Sequence, residues 1–268
     1  MKKRIILGLV LLFALLYSAE AQERRLVTIN GDTIIAPRRP VRPQHPWAIG
    51  IQGGGSYLTG SMSNGVSNLQ SIGVSQENAK DFYNQLRTGF NLGASAHFLF
   101  RNSWGAGLRY SFFKTTAHTT FNAPEGDATI PNGSFPVGMK EWQYVNYEGP
   151  SILYRQWLDP QRKFSIEGEL SGVFVHYRDE TRFDRGDFVL RPPYTKLIGH
   201  SWGGNFNLAL EYYLQPRLSI GANVSYFYSK IKKVTRTTSG PSQIINLASR
   251  DYIDLSRLDY SLSVRYHF

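Results

Sequence analysis

The last residues of the chain alternate between apolar and polar side chains with a period of two. A β-strand turns successive side chains to opposite faces, so this pattern predicts a strand with one apolar and one charged face. The apolar face carries Leu258, Tyr260, Leu262, Val264, Tyr266 and Phe268, and the polar face carries Arg257, Asp259, Ser261, Ser263, Arg265 and His267. A soluble core and a lipid-facing barrel wall would both produce this pattern, so the rest of the chain must decide.

The same alternation recurs from Trp47 onward in eight segments, which predicts eight strands. The fourth, at about 142–157, is disturbed by Glu148 and Pro150, and its register stays open. Short connections are expected at 101–103, 158–162 and 215–216, and long ones at about 61–87, 119–140, 178–196 and 232–250. Long and short connections that alternate strictly are typical of outer-membrane barrels, in which an even number of strands brings both ends to the periplasm.

The charged residues on the polar faces exclude a soluble eight-stranded core, which could not bury them unpaired. In a membrane barrel the same residues face a narrow lumen that side chains nearly fill. We therefore predict an eight-stranded antiparallel up-and-down transmembrane β-barrel plugged by crossed ion pairs. The predicted network consists of Arg109, Glu167, Glu169, Glu211, Arg257, Asp259 and Arg265. A gated narrow pore is the alternative, because paired side chains can rearrange.

The N-terminus predicts export. A basic start, the apolar run 5–16 and the small residues of Ala19-Glu20-Ala21 together indicate a cleavable signal peptide over residues 1–21. The apolar run is too short to cross ~30 Å of hydrocarbon, which argues against an uncleaved anchor. Residues 22–46 form a Pro/Arg-rich periplasmic segment, and residues 47–268 form the barrel.

The Pro/Arg-rich segment contains two short apolar runs, 26–29 and 33–35, on either side of Asn30-Gly31-Asp32. An Asn-Gly turn between such runs predicts a small hairpin or a strand that pairs with a partner's edge. The composition equally allows a disordered tail.

Composition is consistent with a barrel. The 41% hydrophobic content is modest because only alternate strand residues face lipid, and the 16 Tyr and 16 Phe residues suit aromatic girdles. The chain has no cysteine, so no disulfide is expected. The formal net charge of +10 is not gathered into a basic face interleaved with aromatics, so we expect no nucleic-acid partner but anionic lipid and lipopolysaccharide nearby. The histidines lack ligand spacing, so we expect neither a metal nor a cofactor.

The ending Tyr260-Ser-Leu262-Ser-Val264-Arg-Tyr266-His-Phe268, together with the signal peptide and the eight amphipathic segments, resembles the small outer-membrane β-barrel superfamily. That superfamily is typified by the transmembrane domain of OmpA and by porin-family barrels of the Bacteroidota. The resemblance covers residues 47–268 and implies location in the outer membrane of a Gram-negative bacterium. It also implies that Tyr260, Leu262, Val264, Tyr266 and Phe268 form the β-signal read by the barrel-assembly machinery. Unlike OmpA, the protein is expected to have no C-terminal peptidoglycan-binding domain.

Two enzymatic interpretations compete with a non-catalytic barrel. Gly199-His200-Ser201-Trp202-Gly203 matches a nucleophile elbow, but the alternation continues after it where a helix would be needed. A lipid A-modifying site would need a histidine beside a serine or carboxylate; His200 and Ser201 point to opposite faces, which leaves His176 and Glu148. We expect the chain not to be an enzyme.

Function is expected to lie in the loops and the N-terminal segment, because rigid scaffolds present their binding sites on loops. In the first long loop, Ala79, Phe82, Tyr83 and Leu86 repeat at helical spacing, which predicts a short amphipathic helix. This helix would cap the barrel mouth or dock a partner through Phe82, Tyr83 and Leu86. The overall prediction is a structural or interaction protein of the cell envelope, with an envelope protein as a possible partner.

Overall fold

The computed structural model describes residues 26–29, 32–35, 45–60, 63–71, 73–100, 103–124, 134–184, 194–238 and 240–268. The chain divides into two compact units, Met1–Gln44 and His45–Phe268. In the first unit, β1 (Leu26–Ile29) pairs antiparallel with β2 (Asp32–Ile35), the pairing expected of a hairpin. The predicted signal peptide lies outside the described residues.

The second unit is a closed barrel of eight antiparallel strands. They are β3 (Trp47–Leu58), β4 (Thr88–Leu99), β5 (Trp104–Pro124), β6 (Ser134–Trp157), β7 (Phe164–Asp184), β8 (Tyr194–Gln215), β9 (Leu218–Ile231) and β13 (Arg257–His267). Each strand pairs with the next, and β13 pairs with β9 on one side and β3 on the other, which closes the ring. The sequence-based prediction of fold class is confirmed.

The remaining elements lie in the long connections. They are α1 (Ser63–Ser71), α2 (Gln76–Arg87), the short strands β10 (Lys233–Thr237), β11 (Gln243–Asn246) and β12 (Ile253–Asp254), and a 3-10 turn over Ser249–Asp251. No helix among the described residues is long and apolar enough to span a membrane.

The faces of β13 follow the predicted alternation. Tyr260 and Leu262 are 54% and 73% exposed on the outside, whereas Arg257 and Asp259 are 0% and 2% exposed on the inside. Large apolar side chains are left exposed around the whole outer wall and form an apolar belt, the pattern expected of a barrel immersed in hydrocarbon. On β7 this apolar belt runs from Phe164 to Phe174.

The strands differ in length, and this overturns part of the loop assignment. Strands β3, β4, β9 and β13 contain 12, 12, 14 and 11 residues, whereas β5, β6, β7 and β8 contain 21, 24, 21 and 22. Within the predicted long loops, residues 119–124, 134–140, 178–184 and 194–196 are therefore strand, and 232–250 contains the β10–β11 pair. We call the parts of β5–β8 beyond the belt, residues 114–124, 134–146, 176–184 and 194–200, the loop-side wall.

The register of β6, which sequence left open, is set by both neighbours. Tyr110 of β5 pairs with Glu148, and Glu148 pairs with Phe174 of β7. This places Glu148 and Pro150 on the outer face, so both residues interrupt the apolar alternation without turning the strand over.

Helix α2 packs on the inner face of the loop-side wall. It begins at Ser75, whose hydroxyl accepts a hydrogen bond from the Asn78 backbone N–H (3.2 Å). Phe82 and Leu86 are fully buried, and Tyr83 packs at the edge of their apolar cluster. Phe82, Tyr83 and Leu86, predicted as partner-binding candidates, thus contact the protein's own strands, and Phe82 and Leu86 present no surface to a partner. Capping of the barrel mouth and docking of a partner both stay predictions for this helix.

Candidate functional site in the barrel lumen

The lumen gathers the charged residues predicted from sequence. Strand alternation turns them inward, and each is at most 5% exposed: Arg109, Glu167, Glu169, Glu211, Arg257, Asp259 and Arg265. Arg155 of β6 joins them, at 4% exposed. These eight side chains supply four guanidinium groups and four carboxylates, so their formal charges cancel.

Glu167 holds the centre of this network. One carboxylate oxygen accepts a hydrogen bond from Arg155 Nε (2.6 Å), and the other accepts one from Arg265 Nη1. Arg265 lies on β13, three strands away around the barrel, so this contact crosses the lumen. Arg265 also lies 3.6 Å from Glu211.

A second ion pair spans the neighbouring sector. Arg109 donates to Glu169, and the His97 ring lies 3.3 Å from the same carboxylate and 3.0 Å from the Ser151 hydroxyl. Together with the Glu167 contacts, these pairs cross-link five of the eight barrel strands, namely β4, β5, β6, β7 and β13. They oppose any opening of the lumen at this level.

Arg257 forms a separate layer nearer the long connections. Its Nε donates to Asp259 (2.9 Å), and its guanidinium carbon lies 4.6 Å and 4.7 Å from the ring centres of Phe227 and Phe113. Tyr147 stacks on Phe227 with ring centres 4.7 Å apart. Apolar side chains surround this group, so a cation enclosed by aromatic rings closes the barrel at this height.

A carboxyl pair lies deeper in the loop-side wall, under α2. Gln143 Nε2 donates to Glu141 (2.7 Å) and contacts Asp179 at 3.4 Å, while the Tyr177 hydroxyl donates to Asp179 (2.8 Å). Burial raises the pKa of both Glu141 and Asp179 above the usual carboxyl range, and the nearby charge of Asp179 raises the pKa of Glu141 further. Burial, together with these two carboxyl groups, raises the pKa of the Tyr83 hydroxyl.

The outer face brings Glu148 and His176 together, with the carboxylate oxygen 2.9 Å from His176 Nε2. The His200 ring lies beside His176, with ring centres 5.0 Å apart. Ser201 points the other way and shares a hydrogen bond with Ser229 (2.6 Å). The structure thus separates the serine of the nucleophile-elbow motif from its histidine. No group of three or more acidic, histidine or cysteine residues suited to a metal ion occurs within the described part of the chain.

The β-signal candidates on β13 all face outward. Tyr260, Leu262, Val264, Tyr266 and Phe268 are each about half exposed or more. Their recognition by assembly machinery stays a prediction.

Comparisons with known proteins agree on the fold. No family model matches the chain, and no curated protein matches it. Among solved structures, a major outer membrane protein from Thermus thermophilus aligns with a TM-score of 0.50 at 13% identity, covering 84% of this chain and 100% of that one. OprG from Pseudomonas aeruginosa aligns with a TM-score of 0.40 at 15% identity, covering 84% of this chain and 98% of that one. The outer membrane protease OmpT from Escherichia coli aligns with a TM-score of 0.37 at 15% identity, covering 68% of this chain and 63% of that one. At these identities the likeness concerns the fold alone: the chain has the closed β-barrel architecture of outer-membrane proteins.

Proposed function

We propose that this chain is an integral outer-membrane β-barrel protein with a structural or interaction role in the cell envelope, exerted through its loops, the loop-side wall that carries them, and its N-terminal segment. The observation that carries the proposal is the length of β5–β8. A tilted strand of about 9–11 residues crosses a bilayer, so strands of 21–24 residues project well beyond it. A rigid projecting sheet is suited to holding a partner.

The orientation follows from the barrel ends. Trp47 and Phe268 exchange backbone hydrogen bonds (3.0 Å and 2.9 Å) at the end that carries the short turns. Short turns face the periplasm in known outer-membrane barrels. We therefore propose, as part of the same function, that both barrel ends and the N-terminal segment face the periplasm and that the loop-side wall faces the outside.

Affinity purification from solubilised outer membranes tests the interaction role. We expect a stable co-purifying envelope protein that is lost when residues 22–46 are deleted or when residues 61–87 are replaced by a short glycine-serine linker. Each variant should still resist unfolding in a non-boiled gel, which controls for an intact barrel. Recovery of the barrel alone from the wild-type strain would contradict the interaction role, and a soluble periplasmic product would contradict the membrane location.

A small gated channel is a second candidate, favoured by one observation. Several buried N–H groups in the lumen lack a partner among the described residues, including two nitrogens each of Arg109 and Arg257. Buried donors are normally satisfied by protein or by water, so a hydrated lumen would accommodate them. Planar-bilayer recordings of the refolded wild-type protein distinguish the two candidates. Steady single-channel currents would favour the channel, and the absence of such currents would favour the plugged barrel.

The chain is proposed not to be an enzyme, and the Glu148–His176 contact is the place to test this. The register neighbours of this pair are Tyr110, Asn146, Phe174 and His200, none of which supplies a serine or threonine hydroxyl. Mass spectrometry of lipid A from cells with and without the protein should give identical spectra. A mass change that disappears with His176→Ala would instead establish a lipid A-modifying enzyme.

A further inference from the structure

The outer face of the loop-side wall carries cations that begin just beyond the apolar belt. They are Lys114 on β5, Lys140 on β6, Arg178 and Arg182 on β7, and Lys196 on β8. Strand pairing places Lys114, Tyr144 and Arg178 side by side on adjacent strands, and Lys140 beside Arg182. We call these five cations the cationic patch.

From this patch we propose that the loop-side wall binds a phosphorylated lipid of the leaflet in which it stands. The headgroup phosphates would contact the cationic patch, and the acyl chains would lie on the apolar belt below. This inference rests on the outer-membrane location proposed above and adds a ligand class to it.

Position relative to the belt favours a lipid over a soluble partner. Phe174 is the last apolar outward residue on β7, and Arg178 lies on the same face four residues further along, with His176 between them. At ~3.3 Å per strand residue this separation is about 13 Å along the strand, less along the membrane normal because barrel strands are tilted. One amphiphile can therefore reach both surfaces.

Three of the five cations lie over aromatic rings on the same face. Lys114 and Arg178 both lie over the Tyr144 ring, at 5.4 Å and 5.6 Å from its centre, and Lys140 lies 5.2 Å from the Trp142 ring. Two neighbouring strand gaps of ~4.8 Å separate the backbones of Lys114 and Arg178 by about 10 Å, which leaves room for two phosphate groups. Lys and Arg bind phosphate through charge-assisted hydrogen bonds.

The patch occupies one side of the barrel. Its acidic neighbours are Glu180, which contacts Arg178, and Asp184, which pairs with Arg182 at 3.1 Å, so five cations outweigh two carboxylates. On β9, at the corresponding end of the belt, Lys230 is paired with Asp254 (3.8 Å). Further exposed cations, Lys232, Lys233 and Arg236, follow β9, so the positive charge of the patch continues past β8 toward β10.

Native mass spectrometry of the detergent-solubilised barrel tests the proposal, with lipid A bearing both phosphates and chemically dephosphorylated lipid A as the two probes. The wild type should bind the phosphorylated probe at least about tenfold more tightly. Lys114→Ser and Arg178→Ser, which alter two cations at the same level above the belt, should each lose about tenfold for that probe and leave the dephosphorylated probe unchanged. Arg178→Lys keeps the charge and should retain most of the affinity.

Two matched controls separate a site from bulk charge. Lys80→Ser changes an exposed cation on α2, and Arg217→Ser changes one in a short turn at the other end of the barrel. Neither should alter binding. Equal losses in these controls, or a wild type that binds both probes alike, would overturn the proposal.

Insertion is measured separately, by the gel mobility of unboiled protein refolded into phosphatidylcholine vesicles. Failure to insert would refute the membrane location itself. Insertion without preference for the phosphorylated probe would refute only the lipid site.

Discussion

The Glu167 carboxylate should be the most sensitive side chain in the lumen. Glu167→Gln removes the negative charge that faces both Arg155 and Arg265, while changing side-chain volume very little. Arg155 then loses its carboxylate, and Arg265 keeps only the more distant Glu211, at 3.6 Å. The side chains of both arginines are 5% exposed, so water cannot easily replace the lost partner.

Breaking a buried ion pair by removing one partner costs about 3–5 kcal/mol, because the remaining charge is left uncompensated. The free energy of unfolding in vesicles, measured by urea titration and linear extrapolation, should therefore fall by about 3–5 kcal/mol in Glu167→Gln. Glu167→Asp keeps the charge at shorter reach and should lose less. Glu77→Gln, at an exposed position on α2, is the matched control and should change stability by less than about 0.5 kcal/mol.

A loss below about 1 kcal/mol in Glu167→Gln would refute this reasoning. Such a value is typical of solvent-exposed ion pairs, and it would mean that the lumen is wet enough to solvate both arginines.

Three further predictions concern the loop side and the barrel seam. The raised pKa values of Glu141 and Asp179 mean that the folded state binds more protons than the unfolded state. Docking of α2 should therefore be strongest below about pH 4, the ordinary carboxyl pKa, and should weaken as the pH rises from there toward the raised values. Glu141→Gln leaves Asp179 in place and should therefore reduce this dependence, measured by hydrogen exchange of α2 corrected for intrinsic rates; an unchanged pH profile would contradict it. Phe82→Ala should cost about 3–5 kcal/mol of local stability, seen as faster proteolysis of α2 with the same barrel unfolding midpoint, whereas equal proteolysis would contradict its burial. A Cβ at Gly54 would overlap the backbone oxygen of Tyr260 on β13, so Gly54→Val should reduce the folded fraction in vesicles. Gly55→Ala, which has open space around its Cβ, should not reduce it. Equal folding of the two variants would refute the close approach of β3 and β13.

Sequence predicts what depends on local alternation. The period of two is fixed by strand geometry, so the inward direction of Arg257 and Asp259 on β13 can be read without knowing any neighbour. The same pattern places His97 on the inner face of β4, but its contact with Glu169 depends on the position of β7, which no local pattern encodes.

The sequence does not predict the structure where the alternation is interrupted, or where a strand face is covered by an element distant in sequence. Arg155 is not predicted to face the lumen because Glu148 and Pro150 disturb the alternation of β6. The signal that could have placed it is Ile152, an apolar residue at an outward position, because the period of two then makes position 155 face inward. The extension of β5–β8 is not predicted because polar residues reappear on the outer face beyond the belt, and such a polar stretch is interpreted as a loop. The inner face there is covered by α1 and α2, a contact distant in sequence.

The two layers of the lumen close it by different physical means. Around Glu167 the barrier is ionic, so it weakens when a charge is removed. Around Arg257 it is steric and apolar, with Phe113 and Phe227 flanking the guanidinium, so it does not depend on Glu167. The layers lie at different heights on β13, eight residues apart between Arg257 and Arg265. Glu167→Gln should therefore lower stability without opening a conducting path, whereas a path requires that both layers be breached.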